Sequence, residues 1–274
     1  IIAIALVQGT ISVTWIIYRA YLPDLFIDWG LTKEFANNLI IIETFLAILL
    51  EPLFGSLSDY QQRWLGTRFP LISLGVILAS VFFIAIPSII ILGPQQAIWW
   101  LLPAIAIVWS LAMTMFRSPV ISLLSISASK IKLPFAVSIL TLITGLIRVF
   151  KQNINSFILN LGSMFAFSLG SIVILASTAF LRQLFKYIDI PQNPEIEPEQ
   201  LNLKTIIWSK LALIAGIALG MSWGTRLLMG TITKTLNNPQ NMMILGILLA
   251  IASLPVGLLA SKIGNYKGML LGIV

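Results

Sequence analysis

Apolar runs of about 20 residues recur along the whole chain, near 1–19, 38–58, 70–92, 98–116, 134–158, 163–186, 204–229 and 241–262. As helices, runs of that length match a hydrocarbon layer ~30 Å thick. Lipid offers no partner to open backbone, so a spanning segment is a helix or a strand of a closed barrel. Unbroken apolarity lacks the alternation that a barrel strand needs. The expectation is an all-α polytopic membrane protein. Composition agrees, since 10% of residues are charged where a soluble domain has about 25%. The first run has no charged leader, and its Gln8, Ser12 and Arg19 suit a bundle helix better than a cleaved signal. "GMLLGIV" at 268–274 opens a further run, so the chain is expected to stop inside a ninth helix.

Basic residues are retained on the cytoplasmic side. Threading the runs puts eleven of the 17 Lys and Arg on one face: Arg63, Arg68, Arg117, Lys130, Lys132, Arg182, Lys186, Lys204, Lys210, Lys262 and Lys267. Arg19, Lys33, Arg226 and Lys234 fall on the other, and Arg148 and Lys151 inside the fifth run. The start of the chain and the stretch after the sixth run are then cytoplasmic. That stretch, "DIPQNPEIEPEQLN" at 189–202, has the Pro and acidic content of a solvated spacer. The expected organisation is a six-helix bundle over 1–187, a cytoplasmic linker over 188–203 and the start of a second, incomplete bundle over 204–274. The net charge of +7 needs only this asymmetry and anionic lipid, and implies no nucleic-acid partner.

Several chemistries lack their residues. The chain has no His and no Cys, which removes thiol catalysis, disulfides and the usual transition-metal ligand sets. It has no Gly-Lys-Ser/Thr loop to cradle phosphates. No enzyme and no cofactor or metal is expected.

Polar residues inside the runs mark candidate sites, because a charged group at membrane depth must face protein or water. In the fifth run Thr141, Thr144, Gly145, Arg148, Lys151, Gln152 and Asn155 would share one face of a continuous helix. On the second, Glu43 and Glu51 share a face. Glu43 matches Arg19 in depth and is expected to pair with it, whereas Glu51 has no obvious cation and, like Glu43, is a candidate coupling site for a proton or sodium ion. On the first, Gln8, Ser12, Trp15 and Arg19 form another stripe. Gly216, Gly220 and Gly224 read as a packing face.

The pattern also repeats. "EPLFGSLSD" at 51–59 is echoed by "LPVGLLASKIGNYKG" at 254–268, and "TWIIYR" at 14–19 by "SWGTR" at 222–226. Two related six-helix halves fit this echo, a common plan among secondary transporters.

Gly55, Ser58, Asp59, Gly66, Arg68, Pro70 and Ile72, in the hinge "GSLSDYQQRWLGTRFPLI" at 55–72, resemble the cytoplasmic signature loop of the major facilitator superfamily. The spacing from Asp59 to Gly66 is similar to that of its glycoside-cation symporter and sucrose-transporter branches; related loops occur in pigment-delivery proteins of photosynthetic bacteria. "RSPVISLLSIS" at 117–127 resembles the family's Arg-x-Pro segment, without its usual downstream acid. The resemblance implies a six-plus-six bundle, truncated here after about eight helices, that moves a small solute by gradient-driven alternating access, as a symporter coupled to a proton or cation, and works as a monomer. It makes Gln8, Ser12, Trp15, Arg19, Trp223 and Arg226 candidate substrate contacts, beside Arg148, Lys151, Gln152 and Asn155. Gly55, Asp59, Arg63, Gly66, Arg68 and Arg117, with Gly257, Gly264 and Lys267 of the second copy, become gating candidates, Arg117 within reach of Asp59. The excess of cations suggests an organic anion as substrate; the loop spacing suggests a sugar. The same fold also suits a scaffold or pigment-handling factor that transports nothing.

Overall fold

A computed structural model describes residues 1–93, 98–129, 131–187, 208–235, 238–264 and 267–268. Among them there are only helices: α1 (Ile2–Asp28), α2 (Lys33–Leu65), α3 (Phe69–Leu92), α4 (Leu101–Ser127), α5 (Leu133–Val149), α6 (Lys151–Leu161), α7 (Ser163–Tyr187), α8 (Trp208–Thr235) and α9 (Pro239–Ile263). Six of these, α1–α4, α7 and α9, are long and apolar enough to cross a membrane, and α5 with α6 makes a seventh if that bent pair is one span. The protein is therefore an all-helical, multi-pass membrane protein. The linker at 189–202 lies outside the described residues.

The helices overrun the apolar runs. The first reaches Asp28 rather than 19, the second starts at Lys33 and ends at Leu65, and the fourth continues to Ser127. Polar ends carry the helix into the interface, where water satisfies what lipid does not. Thr32 caps α2, its hydroxyl accepting from the Phe35 amide at 3.2 Å. Gly66, at φ +71°, ends it in a left-handed turn, a conformation that costs glycine nothing.

The largest correction concerns the fifth run. It is not one helix: α5 and α6 meet at Phe150 with a bend of 62°. Lys151, Gln152 and Asn153 put three polar side chains around nearly a full turn, so no continuous apolar face runs through the join. The polar stripe is cut with it. Thr141, Thr144, Gly145 and Arg148 stay on α5, while Lys151, Gln152 and Asn155 leave on α6. Tyr21 fixes the new direction by donating to the Ile158 carbonyl at 2.6 Å, one of the end carbonyls that α6 cannot satisfy internally.

The chain divides into two compact units, 1–188 with 247–274, and 189–246. In the first, α3 packs chiefly on α4 and α7, α1 on α7, and α2 on α4. Small residues set the closest approaches. A Cβ on Gly75 would stand 2.7 Å from that of Phe116, and one on Gly170 would stand 2.8 Å from the Phe83 ring. Between helices in lipid, such close contact replaces the hydrophobic drive that water supplies elsewhere. The core is aromatic, with Trp109, Tyr18, Phe26, Phe83, Phe116 and Phe167 fully buried. Trp109 lies at its centre, 5.0 Å from Phe83, 4.2 Å from Tyr18 and 4.8 Å from Trp15 between ring centroids. Also in this unit, the 247–263 part of α9 meets α5, where Ser253 donates to the Ser138 carbonyl at 3.1 Å. In the second unit, α8 carries Gly216, Gly220 and Gly224, and nothing among the described residues comes within 4 Å of where their Cβ atoms would stand. The packing role expected of that face is not seen within these residues.

Candidate functional site

The site is built on α1, α2 and α4, in two levels. At the upper level the Tyr18 hydroxyl donates to Glu43 Oε1 at 2.5 Å. Glu43 is 2% exposed, and its Oε2 has no hydrogen-bond partner. The expected Arg19–Glu43 pair is not formed. Neighbouring residues point ~100° apart on a helix, so with Tyr18 turned to α2, Arg19 faces outward, its guanidinium 5.4 Å from the centroid of the Trp15 ring. The Glu43 carboxyl thus sits against a phenol and the aromatic core instead of a cation.

The lower level is eight residues further along both α2 and α4, ~12 Å at 1.5 Å per residue. There Arg117 Nη1 lies 2.9 Å from Glu51 Oε1, with the two side chains 40% and 42% exposed. Ser118 adds a bond from its hydroxyl to the Glu51 carbonyl at 3.3 Å. Two sequence expectations change here. Glu51 has a cation, and Arg117 is committed to it rather than to Asp59. Arg117 Nε is buried without a partner, as is Gln8 Oε1. On α1, Ser12 and Gln8 lie ~9 and ~15 Å below Tyr18, and Ser12 donates to the Gln8 carbonyl at 3.0 Å. The stripe Gln8, Ser12, Trp15 and Arg19 is the half-open face of a helix that is otherwise mostly buried.

Below this, the 55–72 hinge is held by its own polar residues. Arg68 Nη2 lies 2.7 Å from Asp59 Oδ1, and Arg68 Nε donates to Gln62 Oε1 at 2.6 Å. The Leu71 amide, an open donor at the start of α3, donates to Gln61 Oε1 at 3.1 Å. Arg68 is 11% exposed and Asp59 54%. Burial pushes the Arg68 guanidinium below its ordinary pKa, and Asp59 opposes that shift. Arg63 is exposed and forms no ion pair among the described residues. Gly55 approaches α4, where its Cβ would stand 3.3 Å from Ser118 Oγ. Its echo Gly257 does likewise on α5, where a Cβ would collide with Ser138.

Within the first unit, the remaining candidates are not drawn together with these. Arg148, Lys151 and Gln152 are exposed, and Asn155 is half-buried. Trp223 and Arg226 are exposed on α8, in the second unit. Gly264 ends α9 at φ +93°, and Lys267 is exposed. Tyr18, Trp109, Ser118, Gln61 and Gln62 are not among the candidates that the polar stripes and motifs of the sequence mark. Only the amides gave a signal, as a polar pair just before a helix-ending glycine.

This arrangement defines a multi-pass helical membrane protein with a polar face inside its spanning segments. Comparison with protein families, curated proteins and solved structures finds no match.

Proposed function

We propose that this protein is a gradient-driven secondary transporter of the major facilitator type, moving a small organic anion through a cavity lined by α1, α2 and α4. One observation carries the reading: the Glu51–Arg117 pair lies well inside membrane-crossing helices yet is 40–42% exposed. Hydrocarbon is a poor solvent for a half-open ion pair, so this face is turned to water or to further protein. A wet, charged face between helices is what a solute pathway requires. Gln8 Oε1 and Arg117 Nε are buried without a partner, an acceptor and a donor that become available to a solute when these helices move. Arg19, exposed on the same stripe of α1 and in no ion pair among the described residues, favours an anion over a sugar, since the charge of Arg117 is matched by Glu51.

In this reading the start of the chain and the 188–203 linker are cytoplasmic, as the charge asymmetry suggests. The Asp59–Arg68–Gln62 cluster then closes the cytoplasmic end in one state and opens in another. Its exposed Asp59 suits a contact that is made and broken, because such a pair is worth only about 1 kcal/mol.

The test is uptake by the purified full-length protein in liposomes, with labelled carboxylates, phosphate esters and sugars under imposed proton or sodium gradients. Gradient-dependent uptake of an anion supports the proposal. Uptake of sugars alone removes the anion assignment. No flux for any solute, together with stable co-purification in a larger complex, replaces the transporter by a scaffold of the same fold.

A further inference from the structure

We propose that Glu43 is a proton-carrying site, the group through which this protein couples to a proton gradient, while Glu51 is not. As to coupling, the inference rests on the transporter reading; as to the proton, it stands on geometry alone. Glu43 is 2% exposed, receives one hydrogen bond, from Tyr18 to Oε1, and leaves Oε2 without a partner. A buried carboxylate needs a cation or several donors.

Among the described residues no cation is bonded to Glu43, and Tyr18 is its one side-chain donor. From α1 the titratable groups are Tyr18, which bonds to Glu43, and Arg19, whose guanidinium lies over Trp15 and forms no bond to Glu43, though its charge acts on the carboxyl. From α4 the facing residue is Trp109, against Tyr18, and the α4 cation Arg117 is ~12 Å away along the helix and bound to Glu51. On α2 itself the nearest charge within the span is Glu51. The site is complete when Oε2 carries a proton and Oε1 remains the carbonyl oxygen that accepts from Tyr18.

Release breaks the Oε2–H bond, gives the proton to water on the open face of α1, and leaves a carboxylate. That carboxylate needs a new donor, so release requires Tyr18, Trp15 or Arg19 to rearrange. Solute binding beside Arg19 is the event that would drive it. Glu51 differs because Arg117 already matches its charge.

The experiment is infrared difference spectroscopy of the purified protein in lipid, stepped across about pH 5 to 9. Wild type is expected to show a carboxylic-acid C=O band that is lost on raising the pH, absent from Glu43→Gln and retained in Glu51→Gln. Tyr18→Phe, which keeps the ring and the fold, is expected to move the band to higher wavenumber, because the carbonyl loses its hydrogen bond. A band that is absent at every pH, that never titrates, or that disappears in Glu51→Gln and not in Glu43→Gln overturns the proposal. A titrating Glu43 band in a protein that shows no solute flux leaves the proton site standing and removes the transporter reading.

Discussion

Glu43 and Glu51 are the same residue on the same face of one helix, eight positions apart, and the bundle treats them in opposite ways. Glu43 is sealed at the level of Trp109, where Tyr18, Trp15 and Phe83 close the space between α1, α3 and α4. Glu51 lies at the level where α4 carries Arg117 and the helices leave their polar groups half-open. The difference lies in the neighbours. Large rings exclude both water and counter-charge, while an Arg and a Ser admit them. On the proposal made above, one carboxyl exchanges a proton, while the other holds helices together.

The comparison breaks most severely if its dry level is removed. Trp109→Ala empties the centre of the aromatic core and is expected to cost about 3–5 kcal/mol, seen as loss of folded protein on size-exclusion chromatography in detergent. Next is the ion pair itself. Glu51→Gln and Arg117→Gln are each expected to destabilise by about 1–3 kcal/mol, and the double variant by less than their sum, with a coupling of about 1–2 kcal/mol. The same cycle on Glu43 and Arg19 is expected to give a coupling below about 0.5 kcal/mol. Equal couplings in thermal melts would erase the distinction between the two levels.

A smaller effect belongs to the hinge. Asp59→Asn is expected to cost at most about 1 kcal/mol while raising labelling of single Cys residues placed on the cytoplasmic side of α1. Unchanged labelling in a folded variant would reduce the Asp59–Arg68 pair to a structural contact. Smallest of all, Arg148→Gln and Lys151→Gln are each expected to change stability by less than about 0.5 kcal/mol, since both side chains are exposed. A loss above 2 kcal/mol would mean that the two residues still act as parts of one buried stripe.

The spanning helices and the hinge were legible because they rest on local quantities, the length of an apolar run and the charges at its ends. The Asp59–Arg68 pair was within reach for the same reason, lying nine residues apart across one turn. Partner choice inside the bundle was not. Whether Glu43 meets Arg19 or Tyr18 depends on a rotation of α1 by one residue, and that rotation is set by how Tyr18 packs on Trp109. The pairing of Glu51 with Arg117 depends on the register of α2 against α4, two helices separated in sequence by α3. The fifth run misled because its offsets have meaning only on an unbroken helix, and the bend at Phe150 removes that premise.

A solute pathway along α1 requires that the face carrying Gln8 and Ser12 look onto water within the membrane. The chain has no Cys, so single-Cys variants report one position each. The direct measurement is reaction of Gln8→Cys and Ser12→Cys with a charged, water-soluble thiol reagent in lipid vesicles, against Leu74→Cys and Ile77→Cys on the exposed apolar side of α3. The two α1 positions are expected to react at least ~10-fold faster than the α3 pair, because hydrocarbon excludes both the reagent and the thiolate it needs. Equal rates at all four positions, or faster reaction on α3, would contradict it.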